Sequence, residues 1–278
     1  RKNAYDAKSK TNSYVFFENH DGFNFTTIEE LIKTGKEKPI QLFYMPTSDF
    51  KDEDDLMSKT RTITDLGYVA VNDTIESMKK GVFNTKLMYF DFNTKVFNSE
   101  QFKVMDDFSG FEHLDKTPSL KNSDEFLRSI QPTEGGAENS IFNKTYFLPD
   151  DSSRLPENLD FVKMMGKRYS YIEQMLQTPL MCNIYGDATI KAGDVVNIVM
   201  PQPTAAEPDT GRKYQKYLNG NYFVARVNHV IEGGLYYKMQ LQLYKESYAS
   251  TIVKDNPFYN NGTSQTVETV VSRGGFGV

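Results

Sequence analysis

The sequence predicts an α+β protein with more strand than helix, and three observations carry that prediction. From Leu235 to Tyr244 apolar and polar residues alternate with period two, the pattern of a strand with one face in a core and the other in water or an interface. Near the start, two aromatic β-prone runs flank Asp21-Gly22 and lead into an amphipathic helix. Between these regions, Phe108 to Pro179 loses β-branched alternation and gains helix-start signals.

In chain order, Tyr14-Val15-Phe16-Phe17 and Phe23-Asn24-Phe25 form a hairpin around Glu18 to Gly22. Thr26 and Glu29 have capping-box spacing, and Ile28, Leu31 and Ile32 make one apolar stripe ahead of Gly35, so a short helix packs back on the hairpin. Pro46 to Asp55 is irregular and acidic, and Asp52-Glu53-Asp54-Asp55 reads as a solvated loop or helix start at a boundary. Ile63 to Val71 is β-like. Asn72 or Asp73 caps a short helix through Ile75 and Met78 that Gly81 ends. Leu87 to Phe92 and Lys95 to Val104 form a second hairpin.

Helix starts follow at Ser123 and just after Pro156. Val162, Met165, Tyr169, Ile172 and Leu176 recur at helical spacing and predict a helix of about five turns. The polar, Gly/Pro-punctuated stretch Gln131 to Ser153 is expected to be an exposed loop. Strand signals then return at Met181 to Tyr185, Val195 to Met200 and Tyr222 to Ile231, with turns at Gly186-Asp187 and Gly233-Gly234 before the alternating run. Gln202 to Leu218 reads as a loop, and the Asn/Gly/Thr/Ser-rich residues after Tyr248 as an extended arm.

Hydrophobic residues make up 38% and charged residues 25% of the 278, a globular composition with room for a sizeable core. A net charge of -5 leaves no basic surplus for a long phosphate footprint, so specific nucleic-acid binding is not expected. No run approaches the roughly twenty apolar residues of a membrane helix, and membrane insertion is not expected. A start without Met reads as a fragment or a trimmed chain.

No catalytic, cofactor-binding or metal-ligating residue is expected from the sequence. His20, His113 and His229 are scattered, with no His-x-x-x-His spacing, and read as turn, loop and strand positions. Cys182 is the sole cysteine; between Leu180 and Ile184 it reads as a small buried hydrophobe rather than a nucleophile served by His229. Glu18 and Asp21 are the carboxylates nearest a glycosidase-like pair, but a turn carboxylate bonding its own backbone is the better reading. Asp49 to Asp55 lacks the central glycine of a calcium loop. Gly233-Gly234 and Gly274-Gly275 lack the following helix of a phosphate loop. The Asn-x-Thr triplets at Asn24, Asn72, Asn143 and Asn261 carry no functional weight. Neither an enzymatic activity nor a cofactor is expected.

Two ordered sets of residues resemble one known family. Gly186-Asp187, Ile190, Gly193-Asp194-Val195-Val196, Ile198, Pro201, then Gly220, Tyr222, Val224, Val227, His229 and Ile231, then the alternating Leu235 to Tyr244, resemble the closing barrel of baseplate hub proteins of contractile-tailed, T-even-type phages. The opening run Tyr14 to Asn19, Asp21-Gly22-Phe23 and Phe25, followed by Ile28-Glu29 and Leu31, resembles the inserted α/β domain of the same hubs.

The resemblance implies an antiparallel tail-tube-like β-barrel interrupted by a helical insertion and preceded by a small α/β hairpin-helix domain. Its expected divisions are 1–55 for the hairpin-helix domain, 60–105 plus 178–248 for the discontinuous barrel, 108–177 for a mainly helical insertion and 249–278 for the C-terminal arm. The hub's first tube-like barrel has no counterpart here, because nothing before Tyr14 supplies it. The function implied is that of a virion structural protein, a central hub component that links tail tube to central spike and adapts threefold to sixfold symmetry. The implied partners are further copies of the chain in a homotrimer, the spike protein, the tail tube protein and other baseplate proteins. The implied location is the tail baseplate, assembled in the host cytoplasm. Two alternatives stand beside it: a tail-associated peptidoglycan hydrolase or glycan-binding module using the aromatic hairpin, and the hub part of a contractile injection system spike.

Overall fold

The structure of the protein is a computed structural model in which residues 9–44, 61–68, 82, 84–91, 95–104, 108–118, 141–148, 161–176, 178–200, 218–234 and 236–249 are described. The period-two segments become strands as expected. Strands β1 (Tyr14–Asn19) and β2 (Gly22–Thr27) pair antiparallel as a hairpin, followed by helix α1 (Ile28–Glu37). Then come β3 (Ile40–Tyr44), β4 (Thr62–Tyr68), β5 (Asn84–Asp91), β6 (Phe97–Lys103), a 3-10 turn (Phe108–Gly110), β7 (Thr117–Pro118) and β8 (Ile141–Leu148). Helix α2 (Phe161–Met175) precedes β9 (Thr178–Tyr185), β10 (Val195–Val199), β11 (Gly220–Glu232), β12 (Tyr236–Lys245) and β13 (Ser247–Tyr248).

Six strands close into a barrel in the order β10-β11-β12-β9-β4-β3. The α+β class and the barrel therefore hold, but the barrel is mixed rather than antiparallel. Strand β3 runs parallel to both its neighbours, with Val196 opposite Ile40 on one side and Phe43 opposite Thr62 on the other. The remaining neighbours pair antiparallel, as in Leu241 opposite Cys182. Of the segment 60–105 expected in the barrel, β4 alone among the described residues is there. Strands β5 and β6 form the predicted hairpin, yet it sits in a separate sheet of order β6-β5-β8. The closing strand comes instead from the residues just after α1, whose Ile40, Leu42 and Tyr44 turn toward the barrel core.

Thirteen buried side chains fill the barrel, among them Leu42, Ile63, Cys182, Ile198, Tyr222, Val224, Met239, Leu241 and Leu243, so it is a packed core and not a pore. Alternation in β12 is as expected, with Met239, Leu241 and Leu243 fully inside and Gln240 and Gln242 on the other face. A second core lies outside the barrel wall. There Ile28 and Ile32 of α1, Tyr171 and Met175 of α2, Phe102, Phe111 and Leu114 meet Val195 and Phe223.

Three local expectations shift. The N-cap of α1 is Thr27, whose Oγ1 accepts from the amide of Glu30 at 3.3 Å. Glu29 is buried instead of closing a capping box with Thr26, and its carboxylate accepts from Ser9 Oγ at 2.5 Å and Thr11 N at 3.1 Å. Gly35 does not end the helix; it lies inside α1 where a Cβ would come 2.5 Å from Val195 Cγ2, so it lets the helix approach β10.

Helix α2 exists where the spacing placed it, but is rotated. Met164, Arg168, Tyr171 and Met175 are buried, whereas Met165, Tyr169 and Ile172 are partly buried and Leu176 is 46% exposed. Polar residues share the buried side because they are satisfied there. Tyr171 Oη donates to the Glu112 carbonyl at 2.7 Å, the Ser170 hydroxyl donates to the Val82 carbonyl, and Gln174 Nε2 donates to Ser170 Oγ at 3.2 Å.

The segment 108–177, expected to be mainly helical, also supplies strands. Residues within the expected loop Gln131 to Ser153 form β8, which pairs in parallel with β5 from Asn84↔Ile141 to Asp91↔Leu148. The apolar and aromatic residues Ile141, Phe142, Tyr146 and Phe147 outweigh the turn-rich flanks. The acidic run at Asp52, the helix through Ile75 and Met78, the helix start at Ser123, the loop from Gln202 through Tyr217, Leu235 and the arm from 250 onward lie outside the described residues.

Candidate functional site

Barrel geometry brings together a cluster of buried charge around Lys245, Asp115 and Glu246, none of them weighed in the sequence, with His113, which was, against Glu246. Lys245, at the inward parity of β12, sits just past Leu243 with its ammonium 3.0 Å from Asp115 Oδ2. Nζ also donates to the Asn219 carbonyl at 2.6 Å and lies 4.8 Å from the centre of the Tyr222 ring. Asp115 further accepts from Asn221 N and Asn221 Nδ2, each at 3.2 Å, and its own amide donates to Ser247 Oγ at 2.7 Å. Gly220 makes room for the pair: its φ of 117° is left-handed, and a Cβ there would lie 2.5 Å from Asp115 Oδ2 and 2.6 Å from Lys245 Nζ. Burial moves both pKa values toward neutrality, lowering that of Lys245 and raising that of Asp115, while the partner charge opposes each shift.

Next in the chain, Glu246 is buried and accepts from Leu114 N at 2.6 Å, with His113 Nδ1 3.3 Å away on its other oxygen. His113 Nε2 faces the Phe108 carbonyl at 2.8 Å, and its ring stacks on Phe108 with centroids 3.7 Å apart. Both imidazole nitrogens thus face oxygen atoms. Chemically, the cluster clamps the segment 111–117 onto the end of β12. Its charged groups are bound to neighbours, Lys245 to Asp115 and Glu246 to His113 and the Leu114 amide.

Of the residues weighed in the sequence, His113 lies in this cluster, against Glu246, and the others lie apart from it. His20 and Asp21, both exposed, pair at 3.2 Å in the β1–β2 turn. Asp21 also binds Lys191 Nζ, tying the hairpin tip to the turn before β10; that hydrogen bond holds the Asp21 carboxyl below its usual range and raises the lysine. Glu18 lies opposite Phe23 in the hairpin. Cys182 is buried in the barrel, its thiol pushed up to about 12 by burial. His229 is exposed, its Nδ1 2.7 Å from Tyr237 Oη. Among the described residues, no group of three His, Cys, Asp or Glu side chains is arranged as metal ligands would be.

The two turns on the barrel rim are built by their own side chains. Asp187 Oδ1 accepts from Thr189 N at 3.0 Å and Thr189 Oγ1 at 2.6 Å, and Oδ2 faces Arg61 Nε at 3.3 Å. Burial opposes ionisation of Asp187, but the bonds from Thr189 and Arg61 outweigh it and hold the carboxyl below its usual range. Gly193, with φ 96°, makes the second turn and receives Phe17 of the hairpin, whose ring would meet any Cβ at 2.8 Å.

The hairpin turns a different face outward. Its register places Tyr14, Phe16, Phe23 and Phe25 on one side of the ribbon, where Tyr14 stacks on Phe25 at 4.9 Å and Phe16 on Phe23 at 5.9 Å. Phe16, Phe23 and Phe25 are 60%, 73% and 53% exposed, which is unusual for three neighbouring phenylalanines. At one end of this ladder a cleft of about 510 Å³ opens between the ribbon, α1 and the loop around Gly110.

No protein-family model and no curated protein matches the sequence. Among solved structures, the chain is similar to the tail protein from Neisseria meningitidis MC58, at 9% identity and a TM-score of 0.39. The similarity covers 87% of this chain and 53% of that one, so the chain spans about half the length of the protein it resembles.

Proposed function

We propose that this chain is a structural protein of a phage-type tail, and within that class a component of the baseplate hub that joins the tail tube to the central spike. The observation that carries the reading is that the ordered motif residues converge on one barrel. Val196 and Ile198 of β10, Tyr222 and Val224 of β11 and the inward face of β12 pack one interior, with Gly193 and Gly220 at its turns and Val195 facing the second core outside the wall. Supporting it, the buried charges Lys245, Asp115 and Glu246 are bound to neighbouring loops, as befits a rigid part that acts through its surfaces. In this reading the chain has no enzymatic role, assembles as a homotrimer, and meets the spike, the tube protein and other baseplate proteins through extended interfaces.

Electron microscopy of the particle that carries the chain tests the proposal. The expected result is density for the barrel on the tail axis, between tube and spike, in three copies. Density away from that axis overturns the hub assignment, and absence of the chain from the particle overturns the tail assignment as well.

A further inference from the structure

The cleft at the end of the aromatic ladder is lined by Tyr14 and Phe25 together with Lys10, Glu30, Lys33 and Glu112. Its size is that of a small-molecule site, about 300 to 1,000 Å³. Among the described residues the Lys10, Lys33 and Glu30 side chains have no ion-pair partner, so donors and acceptors of both kinds remain available. The Tyr14–Phe25 stack offers a flat apolar face at the mouth, and Phe16 and Phe23 extend that face along the ribbon.

A ligand that suits this combination has a flat C–H face to lay on a ring and a rim of hydroxyls that both donate and accept. Nucleic acid suits it poorly, because the carboxylates of Glu29, Glu30 and Glu112 around the cleft repel phosphate. A lipid chain suits it poorly, because most of the lining is polar. We propose that the cleft and its aromatic ladder bind a neutral or N-acetylated oligosaccharide, one ring stacked on Tyr14 and Phe25 and its hydroxyls bonded by Lys10, Glu30 and Lys33. The inference does not rest on the tail assignment, since affinity is read on the free chain and position is read in a particle; either can fail alone.

The test is calorimetric titration of the full chain with chitotetraose, cellotetraose and an eight-residue oligothymidylate. The expected result is binding of at least one tetrasaccharide with a Kd below about 1 mM. Phe25→Ala and Tyr14→Ala are each expected to weaken it about tenfold or more, and Lys33→Ala together with Glu30→Gln to weaken it comparably. Ile231→Ser, at the exposed end of the β11–β12 hairpin, is expected to leave it unchanged. Should either alanine variant fail to fold, Phe25→Leu and Tyr14→Leu keep apolar bulk without the ring and are expected to show the same loss. No binding of either tetrasaccharide up to about 10 mM, binding that the ring variants leave intact, or binding of the oligothymidylate alone overturns the proposal.

Discussion

The ammonium of Lys245 and the carboxylate of Asp115 lie 3.0 Å apart with side chains 1% and 8% exposed, joining the end of β12 to the loop that leads into β7, which pairs with β13 outside the barrel. Removing one partner leaves the other charged and buried. Lys245→Ala is therefore expected to cost about 3–5 kcal/mol in urea unfolding. Replacing both, Lys245→Met with Asp115→Leu, is expected to recover much of that loss. Equal damage from the single and the double variant would show that packing, and not charge pairing, matters at this position.

Gly35 and Val195 form a second sensitive contact. Because a Cβ on Gly35 would stand 2.5 Å from Val195 Cγ2, Gly35→Ala is expected to destabilise by about 1–3 kcal/mol through overpacking, despite alanine's better helix propensity. Val195→Ala in the same chain is expected to relieve the clash. A double-mutant cycle by thermal unfolding reads the coupling; additive losses would place the strain elsewhere.

Asp187 predicts an acid-dependent loss. Its folded pKa lies below the unfolded value near 3.8, so the stability it contributes is present above that value and is lost as pH falls through the lower, folded one. Asp187→Asn keeps an oxygen for Thr189 but gives up the charge facing Arg61. The gap in unfolding free energy between wild type and Asp187→Asn is expected to be open at pH 7 and to close below about pH 4. A gap independent of pH would mean that the charge contributes nothing.

Cys182 reports on the barrel itself. With the thiol pushed up to about 12, far less of it is thiolate at pH 8 than in an unfolded chain, and burial also blocks the reagent. Alkylation of the native protein is expected to be about a thousandfold slower than in urea, where the ordinary thiol value near 8.5 applies. Rapid native labelling would mean that the barrel opens readily.

Much of the fold was legible because period two leaves a direct mark. The hairpin at Tyr14 and the inward residues of β12 follow from it, and the same parity that buries Leu241 and Leu243 also points Lys245 inward, a signal open to the sequence but not drawn from it. Strand β3 left a fainter mark: Ile40 to Tyr44 is only five residues, and its parallel partners lie in distant segments that nothing local specifies. The face of α2 was misread because Arg168, Ser170 and Gln174 are buried as satisfied polar groups, which an apolar-stripe reading assigns to solvent. The charged cluster was invisible for a related reason. Asp115 and Glu246 become partners of Lys245 and Leu114 only through the tertiary fold, and no spacing along the chain encodes that meeting.

The parallel placement of β3 also sets a timetable. Ile40 to Tyr44 leave the ribosome long before the β10 residues they pair with, and at ordinary elongation rates the wait is on the order of ten seconds. Throughout it the edge that β10 will cover is open to the wrong neighbour in a crowded cell, whatever β4 covers on the other side. Closing the ring is thus a late, long-range step, and refolding in vitro should be slow and sensitive to protein concentration even where the finished barrel is stable.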